Sequence, residues 1–372
     1  MKKTKILFGV SGIGNGHSHR QIPIIEHFSK KGEVLIFAYD KSYEILKSYF
    51  KNNKAVSFIR VAVPFFVGNK NGLDFKATLE APINQNKDFL KINCTALDQA
   101  SKKFGRPDLV ITDYEPTSAQ YAYAWNAPLV TIDQQSKYLC GDFPRTLKGF
   151  SYQDEVVRLH MFFPRANAQI ACSFFQVPKK KDGDVVYIFP PILKDTITKM
   201  HRRPTNQTSI LVYISAARDF VQTIKNIAYI CTSQKNSNFY IFLPQLDSKL
   251  TKKFSSSTVS FYQHGDQKFN EILKTCNGIV STAGHMLLSE AMYLGIPVYA
   301  IPVSPYEQHM NALIINKNKF GISHPHLSKP KLAYFIKNIP KFTNNIKNDK
   351  KTLLHGVGQK KIIKFLEEKF LQ

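Results

Sequence analysis

The sequence of 372 residues is long enough for two hydrophobic cores of ordinary size, and 43% of its residues are hydrophobic. Charged residues make up 21% of the chain, and glycine and proline are near their usual frequency, so the composition excludes a collagen-like or broadly disordered protein. The formal net charge of +24 predicts attraction to polyanions and anionic lipid surfaces, unless the lysines form only a solvated surface.

Five cysteines are spread along the chain without a close pair: Cys94, Cys140, Cys172, Cys231 and Cys276. This spacing predicts neither a zinc site nor a disulfide framework and favours a reducing, cytoplasmic compartment. The apolar stretch after Met1 breaks at once into a glycine-rich turn, so we interpret it as a first strand rather than a secretory signal. The weakly charged stretch 278–306 contains Glu290, His285 and three prolines, which predicts that any membrane association is peripheral.

Short runs rich in valine and isoleucine alternate with amphipathic segments in the first half of the chain. Strands are predicted over residues 5–10, 34–39, 56–61, 109–112, 129–132 and 168–173, and helices over residues 18–30, 42–50, 84–104 and 153–163. The alternation starts again in the second half, with strands predicted over residues 209–214, 239–243, 259–262, 278–281 and 298–301. This pattern is typical of βαβ units, and it predicts an α/β protein with two buried parallel sheets.

The polar stretch between the two halves follows Pro190 and Pro191 and has little apolar periodicity. We therefore predict an N-terminal domain over residues 1–192, a linker over residues 193–207 and a C-terminal domain over residues 208–355. The final segment, residues 356–372, has a helical apolar pattern and could pack back on the N-terminal domain.

The first predicted strand runs directly into a glycine-rich loop, residues 12–17, that opens a helix. Gly14, Asn15 and Gly16 would let the backbone turn tightly and expose amide donors at a helix N-terminus, which suits an anionic or polar ligand. A dinucleotide-binding loop would share this position. However, the third glycine comes too early for that motif, and Asp40 is the only acidic candidate for the ribose.

His17 closes this loop, and an imidazole at the mouth of a site can take a proton from an attacking hydroxyl. We predict that His17 is a general base, with a histidine that merely caps or packs in the loop as the alternative. Asp113 ends a predicted buried strand at the carboxyl edge of the sheet, where it would orient and charge-stabilise His17. At this point Asp113 and Glu115 fit a surface loop equally well.

A second cluster follows the predicted strand 278–281. Thr282, Ala283 and Gly284 leave the first amides of the next helix free to face a diphosphate, and the helix dipole adds attraction. Glu290 lies farther along that helix and would accept hydrogen bonds from ribose hydroxyls, unless it is an ordinary solvated carboxylate. Polar side chains suited to a sugar follow the next strand: Glu307, Gln308 and Asn311.

These motifs resemble those of the GT-B glycosyltransferases, in the branch of the peptidoglycan N-acetylglucosaminyltransferase and the plant and macrolide UDP-glycosyltransferases. The donor motif of that superfamily is matched in register by residues 281–290, 295–297, 307–308 and 311–312. A group of bacterial and archaeal glycosyltransferase-like proteins is resembled by residues 112–116 and 132–135 and by Gly16, His17 and Arg20. The resemblance implies the GT-B fold, in which two Rossmann-like domains have parallel sheets that face each other across a central cleft.

The resemblance also implies roles for individual residues. In the N-terminal domain, His17 would be the catalytic base and Asp113 its partner, and the acceptor side would include Gly14, Asn15, Gly16, Arg20, Glu115 and Gln134. In the C-terminal domain, the donor diphosphate would lie at Thr282, Ala283, Gly284, His285, Met286 and Leu287, the ribose at Glu290, and the donor sugar at Glu307 and Gln308. Backbone near His264 and Gly265 would contact the nucleobase.

Several positions depart from the family pattern. Thr282 stands where many relatives have histidine or arginine, and Leu287 stands where a phosphate-binding hydroxyl is common. Diphosphate binding would therefore rely more on backbone amides. The loop that begins at Ser215 lacks the usual glycine, and Arg218 in this loop would compensate by pairing with phosphate.

We therefore predict a glycosyltransferase of hexosyl or N-acetylhexosaminyl type that moves a sugar from a UDP-sugar to an acceptor hydroxyl by inverting direct displacement. The donor is a substrate, and neither a cofactor nor a metal is expected. The expected acceptor is a glycolipid or surface-polysaccharide precursor, because segments 63–67 and 162–165 could rest on the anionic inner face of the cell membrane, unless their phenylalanines are core. Alternatives are glycosylation of modified bases in DNA, a UDP-sugar epimerase of the same fold, and a nonenzymatic nucleotide-binding scaffold.

Overall fold

The structure is a computed structural model that describes residues 3–12, 15–63, 68–69, 72–73, 76–77, 80, 88–215, 220–303 and 306–372. The chain divides into two compact units. The first unit comprises Met1–Ser173, Val177–Lys194 and Gly356–Gln372, and the second comprises Phe174–Gln176 and Asp195–His355. Each unit has a parallel sheet and a hydrophobic core of its own.

The first unit alternates strands and helices. Its described strands are β1 (Thr4–Val10), β2 (Gly32–Ala38), β3 (Val56–Arg60), β4 (Gly68–Asn69), β5 (Gly72–Leu73), β6 (Leu109–Asp113), β7 (Leu129–Asp133), β8 (Thr146–Leu147), β9 (Phe150–Ser151), β10 (Ala168–Cys172) and β11 (Val186–Phe189). Its described helices are α1 (Gly16–Ser29), α2 (Asp40–Tyr49), α3 (Phe89–Lys103), α4 (Pro116–Ala124), α5 (Lys137–Cys140), α6 (Gln153–Phe162) and the C-terminal α14 (Gly358–Phe370).

Seven of the described strands form one parallel sheet in the order β11-β10-β7-β6-β1-β2-β3. The central strands are buried on both faces, and Ile6, Leu7 and Phe8 of β1 are inaccessible to solvent. Near-continuous apolar runs predict such a doubly covered sheet. Ile362 and Leu366 of α14 belong to the core on one face, so the C-terminal helix packs within this unit.

The second unit repeats this architecture. Its described strands are β12 (Thr208–Tyr213), β13 (Ser237–Leu243), β14 (Val259–Gln263), β15 (Gly278–Ser281), β16 (Val298–Ala300) and β17 (Gly321–Ser323), which form a parallel sheet in the order β14-β13-β12-β15-β16-β17. Its described helices are α7 (Asp195–Thr198), α8 (Phe220–Thr232), α9 (Ser248–Phe254), α10 (Lys268–Thr275), α11 (His285–Leu294), α12 (Tyr306–Lys317) and α13 (Lys329–Asn348). The predicted α/β class with two Rossmann-like units is confirmed.

Each sheet has a point at which the strand order reverses. In the first sheet β1 lies between β2 and β6, and in the second β12 lies between β13 and β15. Ligands of open parallel sheets bind beyond the carboxyl ends of the strands at such a switch point. The loops after β1, β6, β12 and β15 are therefore where the fold itself places a site.

The structure differs from the sequence predictions at the sheet edges and between the units. The apolar pattern misses β11 and β17, which are short edge strands of four and three residues and are less completely buried than the equally short inner strands β15 and β16. The segment predicted as a linker is divided: Leu193 is buried in the first unit, and Asp195–Thr198 form α7 of the second.

The phenylalanines that were candidates for membrane contact are core residues where the structure describes them. Phe162 and Phe163 are 6% and 2% exposed and pack in the core of the first unit, so the expectation that they face lipid is wrong. Residues 64–67, the other apolar segment, lie outside the described residues. Hydrophobicity alone does not separate a core residue from a lipid-facing one.

Substituting Gly9 by alanine tests the close packing of β1 against α4. A Cβ at this position would lie 2.0 Å from Oγ and 2.6 Å from Cβ of Ser118, so the start of α4 must shift. We expect Gly9→Ala to lower the free energy of unfolding of the first unit by about 1–3 kcal/mol. Trp125, the single tryptophan of the chain, follows α4 and reports urea unfolding of this unit by fluorescence.

A double-mutant cycle with Ser118→Gly is the matched control, because that change removes the two nearest of the three clashing atoms and leaves only Oε2 of Glu115, at 2.7 Å. The cost of Gly9→Ala should fall by about 1 kcal/mol in the Ser118→Gly background. Equal costs in the two backgrounds would contradict the steric account.

Candidate active site

The predicted general-base region lies at the carboxyl end of the first sheet. In the pairing of β1 with β6, Val10 lies opposite Asp113. The backbone N–H of Ser11 then donates to the carbonyl oxygen of Asp113 at 3.0 Å. Gly12 passes so close to the end of β2 that a Cβ on it would lie 2.4 Å from the carbonyl oxygen of Tyr39. The glycine is therefore needed to bring the start of α1 beside the end of β6.

Three side chains from one face of α1 converge on the carboxylate of Asp113. His17, Arg20 and Gln21 are spaced i, i+3 and i+4, so they are neighbours on the helix surface. Nδ1 of His17 lies 2.7 Å from Oδ1 of Asp113. Arg20 donates from Nε to Oδ2 at 2.9 Å and from Nη2 to Oδ1 at 2.8 Å, and Gln21 donates from Nε2 to Oδ2 at 2.8 Å. The carboxylate thus meets four donors, one for each of its lone-pair positions.

The protonation state of Asp113 depends on its burial and on the charged groups around it. Asp113 is inaccessible and Arg20 is 4% exposed, whereas the side chain of His17 is 13% exposed. Burial alone would raise the pKa of Asp113, but the charges of Arg20 and His17 and their hydrogen bonds hold it below the usual range. An ionised carboxylate only accepts hydrogen bonds, so Nδ1 of His17 carries the proton of this pair. In a neutral imidazole the lone pair is then on Nε2, which can accept a proton.

A second buried carboxylate, Asp133 at the end of β7, lies beside the first. Its oxygens accept hydrogen bonds from the N–H and the hydroxyl of Ser136 at 2.7 and 2.8 Å. Burial raises the pKa of Asp133 to about 6 against these hydrogen bonds, and the negative charge of Asp113 acts in the same direction as burial. Gln21 ties the two strand ends together, because its Nε2 also donates to the carbonyl oxygen of Ile132 at 2.8 Å.

Glu115 has a structural role in place of the acceptor-side role expected from the sequence. The residue is inaccessible, and its carboxylate accepts hydrogen bonds from the backbone N–H groups of Thr117 and Ser118 at 2.8 and 2.7 Å. These contacts cap the N-terminus of α4, with Pro116 in the first turn. Burial raises the pKa of Glu115, while the same hydrogen bonds act to lower it.

The other residues predicted on the acceptor side fall into three groups. Gly14 lies outside the described residues. Asn15 and Gly16 are partly exposed at the start of α1 and stay candidates for ligand contact. Arg20 and Gln134 are buried, so neither side chain faces an acceptor in this structure. Arg20 is bound to the carboxylate described above, and Oε1 of Gln134 accepts a hydrogen bond from a buried lysine at 2.6 Å.

The predicted diphosphate site in the second unit is shaped by a turn between β15 and α11. Ala283 in this turn has a φ of +60°, a left-handed conformation that costs alanine about 1–2 kcal/mol. The buried amide of Asn311 donates to the carbonyl oxygen of Ala283 at 3.0 Å and to Oε1 of Glu307 at 3.3 Å. This contact offsets the strain. Gly284, which has no side chain, occupies the N-cap, so the first N–H groups of α11 have no capping side chain.

The ends of β12 and β14 provide the predicted nucleobase side of the second unit. The ring of Tyr213 stacks on that of His264, with centroids 4.2 Å apart and planes 4° apart. Gly265 follows with a φ of +92°. The hydroxyl oxygens of Ser215 and Thr282 lie 2.5 Å apart and join the ends of β12 and β15. Arg218 lies outside the described residues, so its predicted pairing with phosphate stays a prediction.

The helix α11 carries the other predicted donor contacts. Glu290 is 7% exposed, and its charge adds to burial in raising the pKa of Tyr213 to about 12. His285 is buried beside Phe174, with ring centroids 5.4 Å apart. Leu287 is buried and Met286 is partly exposed. Glu290, the candidate ribose contact, is therefore close enough to Tyr213 at the end of β12 to interact with it electrostatically.

Two predicted sugar contacts lie at the start of α12. Glu307 and Gln308 are both partly exposed. Oε1 of Glu307 accepts the hydrogen bond from Asn311, and Oε1 of Gln308 accepts one from the backbone N–H of Val303 at 3.0 Å. The second contact fixes the loop that follows β16.

The sequence predictions miss three residues of these sites, although each carries a signal. Gln21 lies four residues after His17, which is the spacing of a shared helix face. Asp133 ends its strand as Asp113 does, and Tyr213 is the last residue of β12. The glycines and His17 are the stronger sequence signal in this region, and they obscure the contribution that Gln21 of α1 makes to the site.

Within the described residues no group of three or more His, Cys, Asp or Glu side chains is placed to hold a metal ion. Metal-independent transfer stays a prediction. Nor does any helix in the described part of the chain have the length and apolar character needed to cross a membrane.

The chain is similar to proteins of one family and one fold. The family model described as Glycosyl transferase family 1 matches residues 4–340. No curated protein sequence matches the chain significantly. CalG4, the calicheamicin glycosyltransferase, is 13% identical with a TM-score of 0.63, over 99% of this chain and 98% of that one.

Two plant structures are similar in the same way. UGT89C1 of Arabidopsis thaliana is 12% identical with a TM-score of 0.67, over 100% of both chains. UGT2 of Phytolacca americana, solved with UDP-2fluoro-glucose and pterostilbene, is 13% identical with a TM-score of 0.65, over 99% of this chain and 100% of that one. At these identities the likeness shows the fold.

Substituting Asp133 by asparagine should stabilise the first unit above about pH 6. The folded-state pKa of about 6 exceeds the ordinary value of 3.8, so the carboxyl favours folding only while it is protonated. Stability is therefore lost as pH rises from about 4 to about 6, and it stays lost above that range. In Asp133→Asn the amide oxygen still accepts from the N–H of Ser136, and the amide NH2 donates to the Ser136 hydroxyl, which becomes the acceptor. The contacts persist without the charge, so we expect a gain of about 1–3 kcal/mol at pH 8 and little change at pH 3.5.

Urea unfolding followed by Trp125 fluorescence at both pH values measures this difference. Asp98→Asn is the control, because the Asp98 side chain is 57% exposed on α3 of the same unit. A loss of stability for Asp133→Asn at pH 8 would contradict the assignment of Asp133 as a buried carboxyl whose ionised form is disfavoured by burial.

Proposed function

Because this chain belongs to glycosyl transferase family 1, it is a glycosyltransferase, and we propose that it moves a sugar from a UDP-linked donor to an acceptor hydroxyl. The observation that carries this proposal is the bond between His17 and the buried carboxylate of Asp113 at 2.7 Å. It supplies an oriented base at the edge of the sheet where ligands of such folds bind.

The second unit is suited to the donor. The uncapped start of α11 offers backbone N–H groups and the positive end of a helix dipole to a diphosphate. Glu290 on the same helix can accept hydrogen bonds from ribose hydroxyls, and Glu307 and Gln308 at the start of α12 offer carboxylate and amide groups to the sugar. Solved proteins of this fold that were crystallised with UDP or UDP-2fluoro-glucose support UDP as the carrier.

The first unit activates the acceptor. Nε2 of His17 takes the proton of the acceptor hydroxyl as its oxygen forms a bond to the anomeric carbon. The bond from that carbon to the phosphate oxygen breaks on the opposite face, so the configuration inverts, and UDP leaves with the bonding electrons. Asp113 holds the ring and stabilises the imidazolium while it exists. The amides at the start of α11 stabilise the leaving diphosphate.

The acceptor class we propose is a glycolipid or surface-polysaccharide precursor at the inner face of the cell membrane. The net charge of +24 supports attraction to an anionic surface. So does the start of α3, where Leu90 and Ile92 are exposed on either side of Lys91, since apolar side chains next to lysine suit a membrane interface. Duplex DNA with modified bases is the second acceptor to test, because the same charge favours it.

Glu290→Gln tests the donor half. We expect UDP to bind the protein in calorimetry and its Kd to rise at least about tenfold in the variant, because the charged acceptor for the ribose hydroxyls is lost. Glu271→Gln is the matched control, since the side chain of Glu271 is 65% exposed on α10 of the same unit. Equal affinities for the two variants, or the absence of binding heat for UDP at millimolar concentration, would oppose the proposed donor site.

His17→Ala tests the acceptor half. We expect the rate of sugar transfer to fall at least about a hundredfold, because the general base is lost. UDP affinity should stay unchanged, since the donor groups lie in the other unit. His160→Ala, a change at an exposed histidine on α6, is the control for loss of an imidazole.

The same assay separates the alternatives. A radiolabelled UDP-sugar is offered with lipid-linked acceptors in anionic vesicles, with duplex DNA, and alone. Donor turnover without an acceptor would favour an epimerase. Nucleotide binding without turnover by any mixture would favour a scaffold.

A further inference from the structure

Arg20 is the charged member of the Asp113 cluster that has no role in the proposed transfer. A histidine paired with a carboxylate alone becomes a neutral ion pair when the imidazole takes up a proton. In this structure the carboxylate is already paired with a cation, because Arg20 donates to Oδ2 and Oδ1 of Asp113 at 2.9 and 2.8 Å. Nη2 of Arg20 also lies 3.1 Å from Nδ1 of His17.

The approach of Arg20 to His17 brings two donors together. Guanidinium groups only donate, and Nδ1 of His17 carries a proton because it faces an ionised carboxylate. The two N–H groups therefore share Oδ1 of Asp113 as their acceptor and do not bond to each other. At this distance the guanidinium opposes a second positive charge on the imidazole, since charges in a buried site interact more strongly than in water.

The net charge of the cluster depends on the state of His17. With a neutral imidazole, Asp113 and Arg20 sum to zero. With an imidazolium the cluster carries +1, although Asp113 is inaccessible and Arg20 is 4% exposed. An uncompensated charge in such surroundings costs free energy.

We propose that Arg20 is a positioning residue that keeps His17 neutral, with the lone pair on Nε2, until the acceptor hydroxyl delivers its proton. This inference rests on the proposed function of His17 as the general base. Arg20 acts through Asp113: its two hydrogen bonds fix the plane of the carboxylate, and its positive charge offsets the charge of that carboxylate beside the imidazole.

Other titratable groups face the cluster from the neighbouring elements: Asp133 at the end of β7, Cys172 at the end of β10 and Tyr114 after β6. Asp133 matters most, because its pKa of about 6 lies in the pH range in which a histidine titrates. The test is therefore made in the Asp133→Asn background, which removes that titration from every profile.

Three variants separate charge from hydrogen bonding at Asp113: Arg20→Gln, Arg20→Lys and Gln21→Met. The pH dependence of kcat/KM is measured for each. We expect Arg20→Gln to move the acid limb to higher pH by about one unit, which is about a tenfold loss on the limb and a smaller loss at high pH. Arg20→Lys should keep the limb in place, as should Gln21→Met, which removes a neutral donor from the same carboxylate.

A second readout does not need turnover. The imidazole ¹⁵N shifts are followed with pH, and His17 is identified among the eleven histidines by the signal lost in His17→Gln. In Arg20→Gln this signal should titrate about one pH unit higher than in its parent. If no acceptor is ever turned over, the proposed function fails, but this titration still decides the role of Arg20.

A second comparison applies if the single substitution of Arg20 prevents folding. If Arg20→Gln does not fold, Asp113→Asn is compared with Asp113→Asn plus Arg20→Gln, which leaves the pair uncharged. His17 should titrate at higher pH in the double variant. The proposal is overturned if folded Arg20→Gln protein lowers the rate equally at all pH values without moving the His17 titration, or if Gln21→Met moves it as far.

Discussion

The ionised carboxylate of Asp113 constrains the whole edge of the first sheet, because it is inaccessible to water and its charge must be met by protein groups. Four donors meet it, and all come from α1. The helix must therefore begin beside the end of β6, which the tight passage of Gly12 past Tyr39 permits. Gln21 extends the same network to β7 through Ile132. The position of the proposed base thus follows from the need to satisfy one buried charge.

In the second unit, the start of the helix at the proposed site is positioned by a backbone turn and a neutral amide. The left-handed Ala283 turns the chain after β15, and the amide of Asn311 holds its carbonyl oxygen. What results is a helix start whose backbone N–H groups have no capping side chain. Two of the departures from the family pattern fit this arrangement: Thr282 is engaged with Ser215, and Leu287 is buried. Recognition of a diphosphate by backbone groups does not need either side chain to be basic or hydroxylated.

The predictions from sequence succeed where burial permits only one arrangement of the chain. β1 and β6 are recognisable because both faces are covered, and the ends of these strands locate His17 and Asp113. They fail where a side chain has two plausible directions. Glu115 lies two residues from Asp113, yet it turns back to cap α4, and the Pro116-Thr117-Ser118 sequence carries the signal for that cap. The short edge strands β11 and β17 fail for another reason, since three or four residues at a partly buried sheet edge hold too little periodicity, whereas the equally short β15 and β16 are fully buried.

The free-energy cost of burying the Asp113 cluster helps to distinguish a catalytically active enzyme from a nonenzymatic scaffold of the same fold. A buried ion pair is commonly no more stabilising than apolar residues of the same volume, so stability alone does not account for Arg20, Asp113 and Gln21 in the interior. A catalytic role does account for them, because the imidazole of His17 must be oriented and unprotonated. Asp113 accepts the hydrogen bond from His17, and Arg20 and Gln21 hold the carboxylate of Asp113 in place. The side chain of His17 is the most exposed of this group that meets Asp113, which is where a proton acceptor must be. The buried charges are therefore better explained by chemistry at His17 than by folding.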